Sequence, residues 1–186
     1  MTDTVRIAPV DPGNFTPEQA ELIGNWQHLV FSRVVVNSPR MYRVFLPFIE
    51  AVIARTALPP RDRQAIVLRM LASCGDDYER THHIEISRNA GLSEDEIAAF
   101  QSGTGECLTP FDRTLIAATE ELRRDQFISD ATWAALAQRY STEQLMEVVF
   151  LAGCYQTMAM LTKTFGIELE PAGGAFEGIN QLRDYT

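Results

Sequence analysis

The sequence predicts an all-α protein with about eight helices. Helix start signals recur along the chain, whereas strand signals are weak. The β-branched run Val34-Val35-Val36 could form a strand, but the sequence offers no second run to pair with it. With 46% hydrophobic and 22% charged residues, the composition is that of a soluble globular protein. Its 186 residues suffice for one domain with its own core.

The first two predicted helices each begin at a hydroxyl residue followed by proline. Thr16-Pro17-Glu18-Gln19 supplies an N-cap, a proline suited to the first helical position and a glutamine that can complete a capping box. We expect this helix to run toward Val36. Ser38-Pro39 begins the second helix. Pro47 must kink or end it, because proline lacks the N–H donor that a helix interior needs.

Three further helices are predicted in the middle of the chain. Leu58-Pro59-Pro60 precedes a helix over residues 61–74, and another is expected over residues 77–90. Ser93-Glu94-Asp95-Glu96 is a capping box that begins a short helix to Gln101.

The last three helices begin at Thr109-Pro110, at Ser129-Asp130 and at the capping box Ser141-Thr142-Glu143-Gln144. The final helix, to about Phe165, is apolar on nearly every side. Its apolar residues are Leu145, Val148, Val149, Phe150, Leu151, Tyr155, Met158, Met160 and Leu161. A helix of this kind is buried. In so small a domain, we expect a second subunit to help bury it.

The charge of the chain restricts its partners. A net charge of −9 argues against nucleic acid and against an anionic membrane surface. The longest apolar stretch, residues 148–161, contains Gln156 and is too short to span a bilayer. The N-terminus has no secretory signal pattern. We therefore expect a small-molecule partner and a homo-oligomer, with no nucleic acid and no membrane.

The cysteines indicate the compartment. Cys74, Cys107 and Cys154 are odd in number and widely spaced, which is typical of reduced thiols in a cytoplasmic protein. We expect one domain over residues 1–186. Its ends are an N-terminal arm (1–15) and a tail (167–186) rich in glycine, proline and acid.

Residues 74–83 hold two of the three histidines and one of the three cysteines. On a helix over residues 77–90, one face collects the following residues: Tyr78, Glu79, His82, His83, Ile86 and Ala90. The opposite face carries Arg80, Thr81, Glu85, Ser87 and Arg88. Burying a phenol, a carboxylate and two imidazoles costs free energy unless they satisfy one another. The pattern predicts a chemical site on this face.

Two i, i+4 pairs lie on that face. Glu79 could hydrogen-bond His83 and fix its tautomer, which would give a base able to take a proton or to protonate a carbanion. The alternative is a satisfied buried pair that only orders the helix. Tyr78 could orient a substrate or be a core phenol, and His82 could be a second acid-base group or lie at a subunit seam.

The same segment also matches a metal motif. Glu79 and His82 fit the Glu-x-x-His of di-iron helical bundles, which need a second such motif and more carboxylates. The remaining histidine, His28, has no glutamate three residues before it. We expect no metal and no other cofactor.

Four side chains on the preceding helix are candidates for substrate binding. Arg63 and Arg69 could hold a carboxylate bidentately, although either could instead form a surface ion pair, for example with Asp62. Gln64 could donate a hydrogen bond to a developing oxyanion. Cys74 is included, although a lone cysteine there is more often a small core residue unless a histidine stabilises its thiolate.

A family resemblance extends over most of the chain, from about Trp26 to Pro171. It rests on residues 58–69, on the set Cys74, Gly75, Tyr78, Glu79 and His83, on residues 90–97, and further on residues 110–113, 128–133 and 144–151. With these residues the chain resembles the carboxymuconolactone decarboxylase family, within the alkylhydroperoxidase D-like superfamily. The resemblance implies an all-helical fold, assembly into dimers, trimers or hexamers, and an active-site cleft that contains His83.

Two departures from the superfamily pattern bear on function. In its hydroperoxide-reducing branch a glutamate precedes a CxxC motif and a histidine, and the corresponding positions here are Gln64, Asp76 and Glu79. Arg80 stands where an aromatic residue often follows. We therefore expect a decarboxylase-type lyase that acts on a small organic acid or lactone. The alternatives are a hydroperoxide reductase relying on Cys74 alone and a non-catalytic oligomeric binding protein.

Overall fold

The fold is a bundle of helices. The computed structural model describes residues 4–171, and in that range it contains nine α-helices, two short 3-10 turns and no strand. The α-helices are α1 Pro17–Ile23, α2 Val30–Val35, α3 Pro39–Ala54, α4 Pro60–Cys74, α5 Asp77–Asn89, α6 Glu94–Ser102, α7 Pro110–Asp125, α8 Asp130–Ala137 and α9 Thr142–Phe165. The prediction of an all-α fold is confirmed. The ends of the predicted arm and tail, residues 1–3 and 172–186, lie outside the described range.

The helix starts follow the capping signals of the sequence. The predicted capping boxes at Thr16, Ser93 and Ser141 are formed, and a fourth is formed by Thr109 with Asp112. In each box a side-chain oxygen accepts a backbone N–H of the first turn, which would otherwise have no partner.

The central helix is α4, which packs against α5, α6, α7 and α9. Its apolar residues from Ala65 to Leu68 are buried, as are the polar side chains of Asp62, Arg63 and Gln64 near its start. Because α4 is buried nearly all round, its polar residues must find partners inside the protein. This position brings Arg63 and Gln64 next to α5.

Within the described residues of the single chain, α9 is buried on one side only. One face of α9 packs on α4, whereas Met146, Val149, Phe150 and Met160 are exposed. By length and composition α9 could cross a membrane, but half of that stretch is buried inside the fold, as in the core helix of a soluble protein. The exposed apolar stripe therefore lacks a partner within residues 4–171.

The first predicted helix is divided in two. It ends at Ile23 because Gly24 has a φ of +46°, and a 3-10 turn over Gly24–His28 leads to the separate helix α2. The run at 34–36 that could have formed a strand belongs to the end of α2. Because the break at Gly24 makes α2 a separate helix, the first turn of α2 presents its backbone N–H groups toward α5.

Three residues of α3 and α5 show how these helices pack. Of the two outcomes predicted at Pro47, a kink or an end, the end does not occur, since α3 continues to Ala54 with Pro47 on the exposed side, where the ring displaces no core residue. Ile84 is half-buried against the core. Ser87, assigned to the polar face of α5, is buried and donates to the His83 carbonyl oxygen at 2.6 Å.

Candidate active site

A cavity of about 110 Å³ lies between α2 and α3 on one side and α4, α5 and α9 on the other. Most of its wall is apolar, including Leu29, Phe31, Ile49, Ile53, Ile86 and Met158. The polar groups on the wall include Arg63, Gln64, Tyr78, Glu79, His82 and His83. All four predicted catalytic residues thus face one cavity, and Gln64 joins them from α4.

Helix α5 is fixed at its first turn by Asp76. The Asp76 side chain accepts the backbone N–H groups of Tyr78 and Glu79, at 3.1 and 3.3 Å. Its second oxygen accepts the hydroxyl of Thr162 on α9, at 2.9 Å. This cap ties the start of α5 to α9, and it thereby sets the face of α5 that points into the cavity.

His83 is held by Gln64 rather than by Glu79. Its Nδ1 lies 2.8 Å from the Gln64 amide oxygen, and the Tyr155 ring stands edge-on with ring centroids 4.8 Å apart. With the amide oxygen as acceptor, Nδ1 carries the proton and Nε2 keeps its lone pair. Burial lowers the pKa of His83 to about 3, with further lowering from His82 and Arg63. His83 is therefore neutral at physiological pH.

Glu79 does not act as the carboxylate partner predicted for His83. No hydrogen bond joins the two side chains in the described structure, and Glu79 is buried. Burial raises the pKa of Glu79 well above its usual value, and the nearby carboxylates of Asp76 and Glu170 raise it further. The side chain is thus stabilised as a neutral carboxylic acid.

The carboxylate that pairs with a site histidine comes from Glu170. Its side chain is 2% exposed, and one oxygen lies 2.9 Å from Nε2 of His82. The other oxygen accepts the Tyr78 hydroxyl at 2.5 Å and the backbone N–H of Val30 at 2.7 Å. At this residue the described part of the predicted tail therefore inserts a buried carboxylate beside α5.

Tyr78 links α5 to the start of α2. Its hydroxyl donates to Glu170 and accepts the backbone N–H of Phe31 at 3.1 Å. Its ring stands edge-on to His82, with ring centroids 4.7 Å apart. Burial raises the pKa of Tyr78, and the charges of Glu79 and Glu170 raise it further, so the phenol remains protonated.

Arg63 is a buried cation on the cavity wall. It is 6% exposed, and one of its terminal nitrogens donates to the carbonyl oxygen of Ile53. Its Nε has no hydrogen-bond partner, and no carboxylate among residues 4–171 forms an ion pair with it. Burial accordingly lowers the pKa of Arg63. The predicted surface ion pair with Asp62 is not formed, since Asp62 instead contacts Arg61, Arg139 and Tyr140.

Arg69 and Cys74 do not line the cavity. The Arg69 guanidinium binds Glu120 at 2.9 Å and the carbonyl oxygen of Gln101 at 2.6 Å, on the far side of α4. Cys74 is half-buried with its sulfur 3.7 Å from the Met70 sulfur. The predictions that Arg69 and Cys74 bind substrate are therefore corrected, because these positions on α4 face α7 and the core instead. Arg80 is likewise outside the cavity, bound to Asp77 and Gln101.

Sequence patterns contain no signal for Glu170 or Tyr155 as site residues. Each lies more than seventy residues from its partner histidine. Glu170 lies in a stretch without helical periodicity, and Tyr155 looked like one more apolar position of α9. Only the packing of α9 and the segment after it against α5 identifies them.

Comparisons with known proteins agree with this architecture. Residues 39–121 match the model of the Carboxymuconolactone decarboxylase family. A search of curated protein sequences finds no match to the chain. Among solved structures, the fold is similar to that of a cysteine-to-alanine variant of the debrominase Bmp8, in complex with 2,3,4-tribromopyrrole. The two chains are 13% identical, the TM-score is 0.72, and the match covers 96% of this chain and 98% of the other.

The family match covers three of the five helices that line the cavity. The matched residues span α3, α4 and α5, which carry Arg63, Gln64, Tyr78, Glu79, His82 and His83. The structural similarity, at 13% identity, concerns the fold. At the level of the family, the match supports an enzyme-type function. Residues 39–121 thus match the carboxymuconolactone decarboxylase family, within a chain whose described part is all-helical.

Proposed function

We propose that the protein is a lyase that acts on a small organic acid or lactone by acid-base chemistry. The observation that carries this proposal is the burial of two neighbouring titratable groups, Glu79 and His83, on one largely apolar wall, which shifts their pKa values in opposite directions. Glu79 is stabilised as a neutral acid and His83 as a neutral base. When environments push the pKa values of two titratable groups apart in this way, one of them can donate a proton and the other can accept one.

The proton transfers follow from these states. Where a decarboxylation breaks the bond between carbon and carboxylate, the electron pair remains on the substrate, and Glu79 supplies the proton that this carbon needs. Where a proton must first leave the substrate, Nε2 of His83 accepts it. An anionic ligand beside the ring would favour the protonated form of His83 and so strengthen it as a base.

The class of substrate is supported by Arg63. A buried guanidinium without an ion-pair partner in the described structure is costly, and an anionic ligand in the cavity would compensate it. The rest of the wall is mostly apolar, which suits an unsaturated or ring-shaped body. A small organic acid meets both requirements.

Kinetics of three variants test this proposal, on whichever compound a screen of small unsaturated acids and lactones identifies. Removing a general acid-base group costs about 10²–10⁴ in rate, and we expect this loss for His83→Ala and for Glu79→Gln. His28→Gln serves as the matched control, since His28 does not line the cavity. Circular dichroism checks folding. Turnover by folded His83→Ala at the wild-type rate would show that the chemistry lies elsewhere.

The alternative of a single-cysteine hydroperoxide reductase is not favoured by the cavity. None of the described residues on its wall is a cysteine. Cys74 lies against Met70, and burial raises the pKa of the Cys154 thiol to about 12, which suppresses its thiolate. We expect weak hydroperoxide reduction with a dithiol donor, and no dependence of it on Cys74. Robust turnover that is lost in Cys74→Ser would support the reductase instead.

The same screen separates a lyase from a non-catalytic binding protein. A binding protein would bind acids in the cavity without converting any of them. We do not extend debromination to this chain, because the similarity to the debrominase concerns the fold.

A further inference from the structure

The carboxylate of Glu170 occupies a site built from three donors. These are the backbone N–H of Val30 at the start of α2, the hydroxyl of Tyr78 and Nε2 of His82. Both oxygens are used, and the Glu170 side chain is almost fully buried. A carboxylate with this many donors is held in one orientation. The segment after α9 thus fixes a charged group directly behind the cavity wall.

This contact determines the tautomer of His82. Burial opposes the ionisation of Glu170, but the hydrogen bonds from His82, Tyr78 and Val30 outweigh it and lower its pKa to about 2. An ionised carboxylate can only accept hydrogen bonds, so Nε2 of His82 must carry the proton. Nδ1 then keeps the lone pair of the ring. Because His82 lines the cavity, this nitrogen belongs to a ring that a ligand can contact.

We propose that Glu170 is a positioning residue of the active site, which holds His82 in the Nε2–H tautomer so that Nδ1 exchanges a proton with the ligand. The proton moves from the ligand to Nδ1, Glu170 stays ionised, and an imidazolium–carboxylate pair results. A carboxylate bonded to one ring nitrogen stabilises the charge that appears when the other nitrogen takes up a proton. The inference rests on the proposed function, since it assigns a second proton acceptor to the same cavity.

The two adjacent histidines then differ in their task. His83 donates to a neutral amide and is buried without a carboxylate partner among residues 4–171. His82 donates to an ionised carboxylate. A positive charge on the His82 ring would therefore be compensated by the Glu170 carboxylate, whereas a positive charge on the His83 ring would face only the Gln64 amide. Other titratable groups near His82 include Tyr78 and His83 on its own helix and Glu170 from the segment after α9.

A purely structural role for Glu170, as a cap for α2, makes a different prediction for Glu170→Gln. One oxygen of Glu170 accepts two donors, Val30 N–H and Tyr78 O–H, so the amide oxygen of glutamine must take that place. The amide NH₂ of glutamine then faces the N–H group at Nε2 of His82, so that two hydrogen-bond donors oppose each other. His82 can resolve this conflict only by moving its proton to Nδ1. If Glu170 served only as a cap for α2, the tautomer of His82 would be the same in Glu170→Gln as in the wild type, because the glutamine oxygen would still satisfy Val30 and Tyr78.

Nitrogen NMR of histidine-labelled protein measures the tautomer directly. The chain has three histidines, so single histidine-to-glutamine variants assign the signals. We expect the Nε2–H form of His82 in the wild type and the Nδ1–H form in Glu170→Gln. Glu168→Gln, which removes the same charge from an exposed position in the same segment, should leave the signals unchanged. An Nδ1–H tautomer in the wild-type protein would overturn the inference without any variant.

Rescue by a small carboxylate is the kinetic test. Truncation in Glu170→Ala leaves the three donors facing a vacated carboxylate site. We expect kcat to fall about 10²-fold with KM nearly unchanged, and added formate or acetate to restore part of it. Full activity in folded Glu170→Ala contradicts the inference. The NMR measurement needs no substrate, so it decides the role of Glu170 even if the proposed lyase activity is absent.

Discussion

At the scale of single residues, the hydrogen-bond partners at the cavity differ from those that helix spacing predicts. The spacing of four residues pairs Glu79 with His83, but the actual partners are Gln64 for His83 and Glu170 for His82. The difference changes the chemistry. Glu79, relieved of an ion-pair role, is kept protonated by burial and becomes the proton donor of the proposed site.

The raised pKa of Glu79 makes stability depend on pH. Above the ordinary value of 4.5, the unfolded chain releases this proton while the folded protein retains it, so the folded state loses stability as pH rises. The slope is at most about 1.4 kcal/mol per pH unit. Glu79→Gln removes this dependence, because the amide resembles the neutral acid and does not titrate. We therefore expect the variant to gain stability relative to wild type between pH 5 and pH 8.

Urea unfolding at several pH values measures the effect. His83 has the opposite effect on the pH dependence of stability. Its pKa is about 3 in the folded protein and 6.5 as an ordinary value, so the unfolded chain takes up a proton first as pH falls below 6.5, and the folded state loses stability. This stabilisation is present above pH 6.5 and is lost toward pH 3, and it is the same in wild type and Glu79→Gln. Parallel curves for the two proteins from pH 5 to pH 8 would mean that Glu79 is ionised in the folded state.

At the scale of elements, α5 is positioned from both of its sides. Asp76 caps its first turn and binds α9, while Glu170 and Gln64 hold its two histidines. The break at Gly24 matters for the same reason, since it creates the separate helix α2 whose first N–H groups meet Glu170 and Tyr78. The site therefore depends on contacts between elements more than on α5 itself.

We expect Asp76→Ala to destabilise the protein by about 1–3 kcal/mol, because it removes an N-cap and leaves buried donors unsatisfied. Asp77→Ala is the matched control. Asp77 is exposed, and among residues 4–171 its side chain forms an ion pair with Arg80 alone, a contact worth about 0.5 kcal/mol or less. Thermal unfolding of both variants gives the comparison. Equal small losses would show that the Asp76 cap does not stabilise α5.

At the scale of the whole molecule, α9 presents an exposed apolar stripe on the side opposite the cavity. Met146, Phe150, Gly153, Thr157 and Met160 follow one another at spacings of three and four residues, and all five are exposed. This is the spacing by which one helix packs along another. We propose that a second copy of the chain covers this stripe.

Light scattering tests this proposal. We expect a homo-oligomer, with an interface on the order of 2,000 Å² or more if it is obligate. Phe150→Glu should dissociate it, because a charge would be buried without a partner. Phe127→Glu changes a phenylalanine away from α9 that is 62% exposed, against 52% for Phe150, and it should not dissociate the oligomer. A particle of 20.9 kDa at micromolar concentration, for wild type, would refute the proposal.

The sequence by itself determined the helices and the face of α5 that bears the site. Capping residues and apolar spacing are local signals, and they located nearly every helix start and placed Tyr78, Glu79, His82 and His83 together. Only the tertiary structure decided their partners and their protonation, because burial and long-range contacts are set by packing. Arg69 and Cys74 face away from the cavity, Gln64 and Arg63 face it, and Glu170 reaches His82 from 88 residues away. A pKa depends on these surroundings, and spacing along one helix does not contain them.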